Sequence, residues 1–280
     1  MTSRRTAALR LVVFLTLGFV TLQVLARVLH PLTGLLIASV FGAFGGAAIA
    51  NMLALRIYEA GRLPDIGLHW NQASAANLLY GLAGGAGAAL LVLGVPLLAG
   101  AARWKAADDS AAGVGSFVFV SLVLLFGAIG EEMLFRGYGF QVLVPAFGPA
   151  ATLLPMSVLF AAAHAGNQNV SWIGLVNTFA WGVLLGAAVL RSGDLWLPIG
   201  LHFGWNWVMP MLGVNLSGFT MRVTGVELEW FLSDLWSGGE YGPEGGLLCT
   251  IVLAALVAFL IKAPIRRQHL ALLGPREEAV

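Results

Sequence analysis

Charge is scarce in this chain. Asp, Glu, Lys and Arg make up 10% of its 280 residues, against 59% hydrophobic ones, and the mean hydropathy is +0.86. A soluble domain carries about 25% charged residues, so this composition excludes one and indicates an integral membrane protein. The net charge of +1 says nothing about nucleic acid, and with no basic patch no nucleic-acid partner is expected. The partner that the composition does imply is the lipid bilayer. Cysteine is scarcer still. Cys249 stands alone in the run LLCTIVLAALVAF, which excludes an internal disulfide and makes it a small buried hydrophobe.

Several catalytic motifs are lacking as well. No HExxH helix is present, so a zinc-dependent intramembrane protease is unsupported. His164, His202 and a Glu offer two imidazoles and a carboxylate, yet no His pair at i, i+4 supports a metal site, and no cofactor is expected. Ser157 and Ser171 lie outside any Gly-x-Ser-x-Gly turn. Asp194 follows Ser192-Gly193 in a connection between spans, and no second membrane Asp accompanies it. Internal repeats of the kind that mark carriers are missing, as are linkers and low-complexity segments, so one membrane domain is expected.

What the chain has is apolar runs. A spanning helix needs about 20 mostly apolar residues, and eight candidates are present: Leu9–Leu29, Leu32–Leu55, Ala75–Ala99, Ser116–Phe140, Pro149–Asn167, Ser171–Leu190, Leu195–Leu212 and Gly246–Ile261. The first follows the basic start MTSRRTAALR. It is longer than the roughly 7–15 residues of a signal-peptide core, so it is read as a retained helix. A soluble-looking insert, Ser217–Gly245, precedes the last span. Its Trp230, Phe231, Leu232 and Trp236 suit the membrane interface. Gly42/Gly46 and Gly81/Gly85 form GxxxG pairs suited to close helix packing.

Basic residues set the orientation. With the N-terminus inside, eleven fall on the inner side (Arg4, Arg5, Arg10, Arg56, Arg62, Arg136, Arg191, Lys262, Arg266, Arg267, Arg276) and four on the outer (Arg27, Arg103, Lys105, Arg222). Both termini are therefore expected in the cytoplasm. The acidic insert, with Glu227, Glu229, Asp234, Glu240 and Glu244, then lies outside.

Ionisable groups at membrane depth cost roughly 2.5–3.5 kcal/mol each on insertion scales and mark functional sites. Here Glu131 and Glu132 stand side by side in GSFVFVSLVLLFGAIGEEMLFRGYGF, followed by Arg136. Glu132 and Arg136 are i, i+4 and share a helix face, which suits an ion pair. Glu131 is rotated by about 100° and meets a different environment. A carboxyl without a cationic partner in a low-dielectric site is suited to proton transfer near neutral pH. The bland alternative is a buried ion pair and a protonated Glu that pin helices together.

Two further spans add polar groups. Phe160-Ala-Ala-Ala-His164 places a histidine in an apolar helix, where a packing role satisfied by Asn177 or Thr178 competes with a catalytic one. His202-Phe-Gly-Trp-Asn206 puts an imidazole and a carboxamide on one face, suited to holding a developing oxyanion or to bridging helices. Trp205 and Trp207 read as packing or interface anchors. A structural account needs three independent costly exceptions, whereas an active site needs one. Depth is the difficulty: these spans put Glu131 and His202 in the middle or inner half of the bilayer and His164 within about one turn of the outer end of its helix. Convergence requires the fifth helix to tilt or to begin later.

Together, EExxxR at Glu131–Arg136, FxxxH at Phe160–His164 and HxxxN at His202–Asn206 resemble the CAAX-protease and bacteriocin-processing family. Its eukaryotic branch includes the Ras-converting endopeptidase. Leu195-Trp196-Leu197-Pro198 and Glu240-Tyr241-Gly242-Pro243-Glu244-Gly245-Gly246 look like the family too. The resemblance covers about Gly115 to Ile261. It implies an all-α polytopic membrane protein, about eight helices in one bundle with a conical intramembrane active site. Residues 1–115 would supply N-terminal helices, 116–263 the catalytic core with the insert near 217–245, and 264–280 a cytoplasmic tail.

By the same resemblance Glu131 is the general base and His164 orders the attacking water. His202 and Asn206 stabilise the oxyanion, while Glu132, Arg136 and Phe160 support them. The implied activity is metal-independent endopeptidase cleavage of a membrane-associated peptide or protein. The family's bacterial branch is tied to peptide maturation and bacteriocin self-immunity. The Ala/Gly/Leu/Arg-rich composition suits a bacterial cytoplasmic membrane. Two rivals stay open: a non-catalytic immunity or interaction protein on the same fold, and a proton-coupled carrier.

Overall fold

The computed structural model describes residues 3–107 and 113–274; Arg276, counted above among the inner cations, lies outside them. The described chain is mostly helical. Its first helices are α1 (Arg4–Thr33), α2 (Leu35–Tyr58) and α3 (Gln72–Leu98), followed by strand β1 (Ala102–Ala106). Then come α4 (Val114–Arg136), α5 (Tyr138–Phe147), α6 (Pro149–Ala163), α7 (Trp172–Ser192) and α8 (Trp196–Met211). Strand β2 (Val226–Trp230), α9 (Asp234–Ser237) and α10 (Leu247–Lys262) complete it.

Among the described residues, five segments are long and apolar enough to cross a membrane: α1, α2, α3, the stretch Val114–Phe147 that holds α4 and α5, and α7. The expected spans five, seven and eight correspond to α6, α8 and α10, with 15, 16 and 16 residues. At 1.5 Å per residue they reach only about 24 Å, against a hydrocarbon core about 30 Å thick.

Small residues set the closest helix contacts, in keeping with membrane packing. A Cβ at Gly46 of α2 would come within 3.0 Å of the Gly18 carbonyl and the Leu22 nitrogen of α1. Between α3 and α8 the fit is reciprocal. A Cβ at Gly81 or Gly85 would strike the Leu197 or Leu201 carbonyl, and one at Gly200 or Gly204 would meet the backbone around Leu78 or Leu82. This interlock fixes the depth and rotation of α8, which carries His202.

Two expectations are corrected. The fourth span was drawn unbroken from Ser116 to Phe140, but the helix breaks at Gly137. The backbone groups around the break are met by Asn51 of α2: its Nδ2 donates to the Met133 carbonyl (2.9 Å), and its Oδ1 accepts from the Tyr138 N–H (2.8 Å). Gln141 Nε2 donates to the Arg136 carbonyl (2.9 Å). In lipid such groups must be satisfied within the protein.

The all-α expectation is also amended. β1 and β2 form an antiparallel two-stranded sheet with Ala102 opposite Trp230 and Ala106 opposite Val226. Arg103 pairs with Glu229 (2.6 Å) and Lys105 with Glu227 (2.7 Å). Part of the acidic insert is therefore the charge complement of the connection after α3. The two lie at the same end of the molecule, as the alternation of spans requires.

Residues 264–274, within the expected tail, are packed against the helices. Gln268 donates to Ser74 Oγ and to the buried carboxylate of Asp194, and Asn77 donates to that carboxylate as well (2.6 Å). Asp194 also accepts from the Leu197 N–H (3.1 Å) and so anchors the start of α8.

Candidate active site

The last turns of α4 carry Glu131, Glu132 and Arg136. Glu132 is fully buried and Arg136 is 2% exposed. Arg136 Nη1 donates to Glu132 Oε1 (3.0 Å), the i, i+4 pair anticipated from spacing, and Nη2 donates to the Gly182 carbonyl of α7 (3.2 Å). The guanidinium lies 4.3 Å from the centroid of the Phe160 ring. His202 Nδ1 bonds the same Glu132 oxygen (2.9 Å). Glu132 is thus held by two positively disposed partners, as a buried carboxylate requires.

Glu131 has a different setting. Its side chain is 30% exposed, and its Oε2 lies 3.7 Å from His164 Nε2 and 3.8 Å from His202 Nε2. That oxygen makes no hydrogen bond among the described residues. The three groups from α4, α6 and α8 therefore do meet. α6 begins at Pro149 as drawn but ends at Ala163, leaving His164 as its C-cap rather than inside a helix running to Asn167.

The rings are oriented by local bonds. His164 Nδ1 lies 2.8 Å from the Phe160 carbonyl. A carbonyl only accepts, so Nδ1 carries the proton and the neutral ring offers a lone pair at Nε2 toward Glu131. Asn177 and Thr178, considered above as partners for His164, are engaged elsewhere. Asn177 donates to the Glu244 and Gly246 carbonyls, and Thr178 to the Gly174 carbonyl. Phe160 sits at the centre, edge-on to Phe135 (5.1 Å) and 4.7 Å from the His164 ring.

Glu131, His164, His202 and Asn206 line one cavity of about 510 Å³. Apolar side chains make up much of the rest of the wall, including Leu22 and Val40 from the first two helices and Trp181 from α7. The insert contributes Phe219 and Met221, so it is part of the site rather than a plain connector. Asn206 projects into this space one turn beyond His202 and has no hydrogen-bond partner among the described residues. Trp205 and Trp207 do pack, yet each also bonds: Trp205 Nε1 to Glu244 (3.1 Å) and Trp207 Nε1 to Ser121 (2.8 Å).

Sequence reasoning assigned no role to Asn51, Asn77 or Glu244. Asn51 and Asn77 were findable as lone polar residues in apolar helices. Glu244 lay in the Gly-Pro-Glu-Gly-Gly segment already noted as family-like.

Comparison with known proteins adds a family to this geometry. Residues 113–208 match the family described as type II CAAX prenyl endopeptidase Rce1-like. The segment from α4 to α8 is Rce1-like. It contains all seven residues singled out above, while the N-terminal helices and the insert lie outside the match. An uncharacterized 24.3 kDa protein of Escherichia coli is 36% identical over 89 residues. That alignment takes in 30% of this chain and 40% of the relative's length. With the apolar helices, the Rce1-like match indicates an integral membrane protein.

Proposed function

We propose that this chain is a membrane-embedded endopeptidase of the glutamic type. One observation carries the reading: the two adjacent carboxylates are separated in role, Glu132 by Arg136 and His202, and Glu131 by its open position between two imidazole nitrogens. A water between Glu131 and His164 Nε2 meets two acceptors, which aligns its remaining lone pair with a carbonyl carbon in the cavity. Glu131 takes the water proton as oxygen bonds to carbon. The carbonyl oxygen becomes an oxyanion, met by the Asn206 carboxamide and by His202 Nε2–H. With Nδ1–H directed to Glu132, His202 donates from both nitrogens as an imidazolium between two carboxylates. Collapse breaks the C–N bond, and Glu131 returns its proton to the leaving amine.

No step in this scheme draws on a metal or cofactor. The substrate class is a membrane-associated peptide or protein, in keeping with the apolar walls of the cavity. The natural setting would be a bacterial cytoplasmic membrane with both termini inside, and peptide maturation or bacteriocin self-immunity are roles consistent with it.

The test is proteolysis by purified protein on membrane-anchored peptides, with Glu131→Gln and His164→Ala alongside. Cleavage that survives chelators and vanishes in both variants is expected. Chelator-sensitive cleavage would move the chemistry to a metal. Cleavage that persists in Glu131→Gln would remove the carboxylate from its role.

A further inference from the structure

A second carboxylate faces the same cavity, from outside the Rce1-like segment. Glu244 lies just before α10 and is 8% exposed. Its Oε1 accepts from Trp205 Nε1 (3.1 Å), and its Oε2 accepts from both the N–H and the hydroxyl of Ser217 (2.7 Å each). One carboxylate thus joins the insert to α8 at the residue beside Asn206.

Ser217 sits at the tip of a tight turn. Leu216 and Phe219 exchange both backbone hydrogen bonds (3.0 and 2.8 Å). Between them Ser217 has φ +49° and Gly218 φ +85°. Both central residues are left-handed, the pattern of a type I′ turn. A non-glycine residue held left-handed is strained and persists where its surroundings determine it. Here those surroundings are Glu244, together with the Tyr241 carbonyl, which accepts from the Gly218 N–H (2.8 Å). Leu216, Ser217 and Phe219 all line the cavity, so the turn is its roof.

We propose that Glu244 is a positioning residue: its carboxylate clamps the Leu216–Phe219 turn over the cavity and couples that roof to α8 next to Asn206. The catalytic consequence rests on the endopeptidase reading, but the clamp itself does not. The anionic oxygens do what no neutral side chain does as well, since they accept three hydrogen bonds at once without a competing donor. In Glu244→Gln one oxygen becomes an NH2 group that cannot accept. Either the Trp205 bond or the bond from the Ser217 N–H is then lost, since the Ser217 hydroxyl can turn to accept from the new NH2.

The clamp is read by thiol labelling of the full chain in detergent, with Leu216→Cys as reporter. Leu216 is 3% exposed and Cys249 is fully buried, so labelling of the otherwise unaltered protein gives the blank. With Glu244 intact, labelling by a charged methanethiosulfonate is expected to be slow. It should quicken at least about ten-fold in Glu244→Ala and by less in Glu244→Gln, as expected when a buried segment opens locally. Equal rates in all three folded proteins overturn the proposal. If Glu244→Ala does not fold, Ser217→Gly serves instead: it keeps the left-handed backbone, deletes the hydroxyl, and should also quicken labelling. No change there is equally contrary.

A second readout uses a peptide that the wild type cleaves. Glu244→Gln should lower kcat more than it raises KM. Glu244→Ala combined with Trp205→Phe should be no worse than Glu244→Ala alone, because the alanine already removes the Trp205 bond; full additivity would refute the coupling. If no peptide is cleaved, the endopeptidase reading fails while labelling still decides the clamp.

Discussion

Removing Arg136 is the sharpest perturbation of the site's scaffold. Glu132 has no exposed surface and Arg136 has 2%, so Arg136→Met leaves a carboxylate in the interior without its guanidinium. Breaking a buried pair from one side costs about 3–5 kcal/mol. The Gly182 carbonyl also loses its donor at 3.2 Å, which adds about 1–3 kcal/mol. Retention of the His202 bond to Glu132 at 2.9 Å offsets part of this. The net expectation is a loss of about 3–5 kcal/mol, a large fraction of a typical total of about 5–15 kcal/mol. In the double variant Glu132→Gln/Arg136→Met no charge is stranded, so the two losses should fall short of additivity by about 2 kcal/mol. The assay is equilibrium unfolding in mixed micelles with increasing SDS, read by helical circular dichroism. A loss under about 1 kcal/mol for Arg136→Met, or simple additivity in the double variant, refutes the reasoning.

Other outcomes follow from the same geometry. Glu131→Gln should abolish cleavage while leaving the melting midpoint within about 2 °C, because Glu131 Oε2 makes no hydrogen bond among the described residues; a large loss of stability would mark it as structural. Gly85→Ala should destabilise by about 1–3 kcal/mol, since the new Cβ meets the Leu201 carbonyl. Gly87→Ala, with open space around it, should be neutral or stabilising in the same unfolding assay. Asn51→Leu leaves the Tyr138 N–H unmet, while the Met133 carbonyl keeps the Gly137 N–H, and should cost about 1–3 kcal/mol, seen as a lowered unfolding midpoint. Burial, with Glu244 nearby, pushes the Tyr241 phenol up to about 12 from its usual value of 10.0. The folded state holds that proton more tightly, so the associated stability is complete below about pH 10 and is lost as pH rises toward 12. Tyr241→Phe should flatten the dependence in that window, and an unchanged alkaline profile would refute the assignment.

The sequence announced the site better than it announced its supports. Glu132 and Arg136 were legible because helix periodicity alone puts i and i+4 on one face. His164 and His202 stood out as costly exceptions in apolar runs. The end of α6 was drawn late, at Asn167, although the chain after Ala163 reads His164-Ala165-Gly166-Asn167; what marks the stop is a histidine bonded back to the Phe160 carbonyl. The break at Gly137 has no proline to signal it and depends on Asn51, which lies on another helix far back in the chain. The β1–β2 sheet was hidden for the same reason. Arg103 and Lys105 alternate along one short strand and Glu227 and Glu229 along another, a complementarity that acquires meaning only once the two are brought together. Gln268 illustrates a further limit, since a polar residue after the last apolar run reads as a tail whether or not it folds back.

The glycine interlock between α3 and α8 bears on how this protein can be divided. The recognisable segment begins at residue 113, yet one flank of α8 is a bare backbone groove shaped to another backbone, that of α3. A fragment starting at residue 113 would offer that groove to lipid chains, which are too mobile to fill it as Gly81 and Gly85 do. The catalytic helix would then be free to turn about its own axis. The unit that computes as a family and the unit that holds its shape are different lengths of chain, and only the longer one is a sound basis for truncation, grafting or domain exchange.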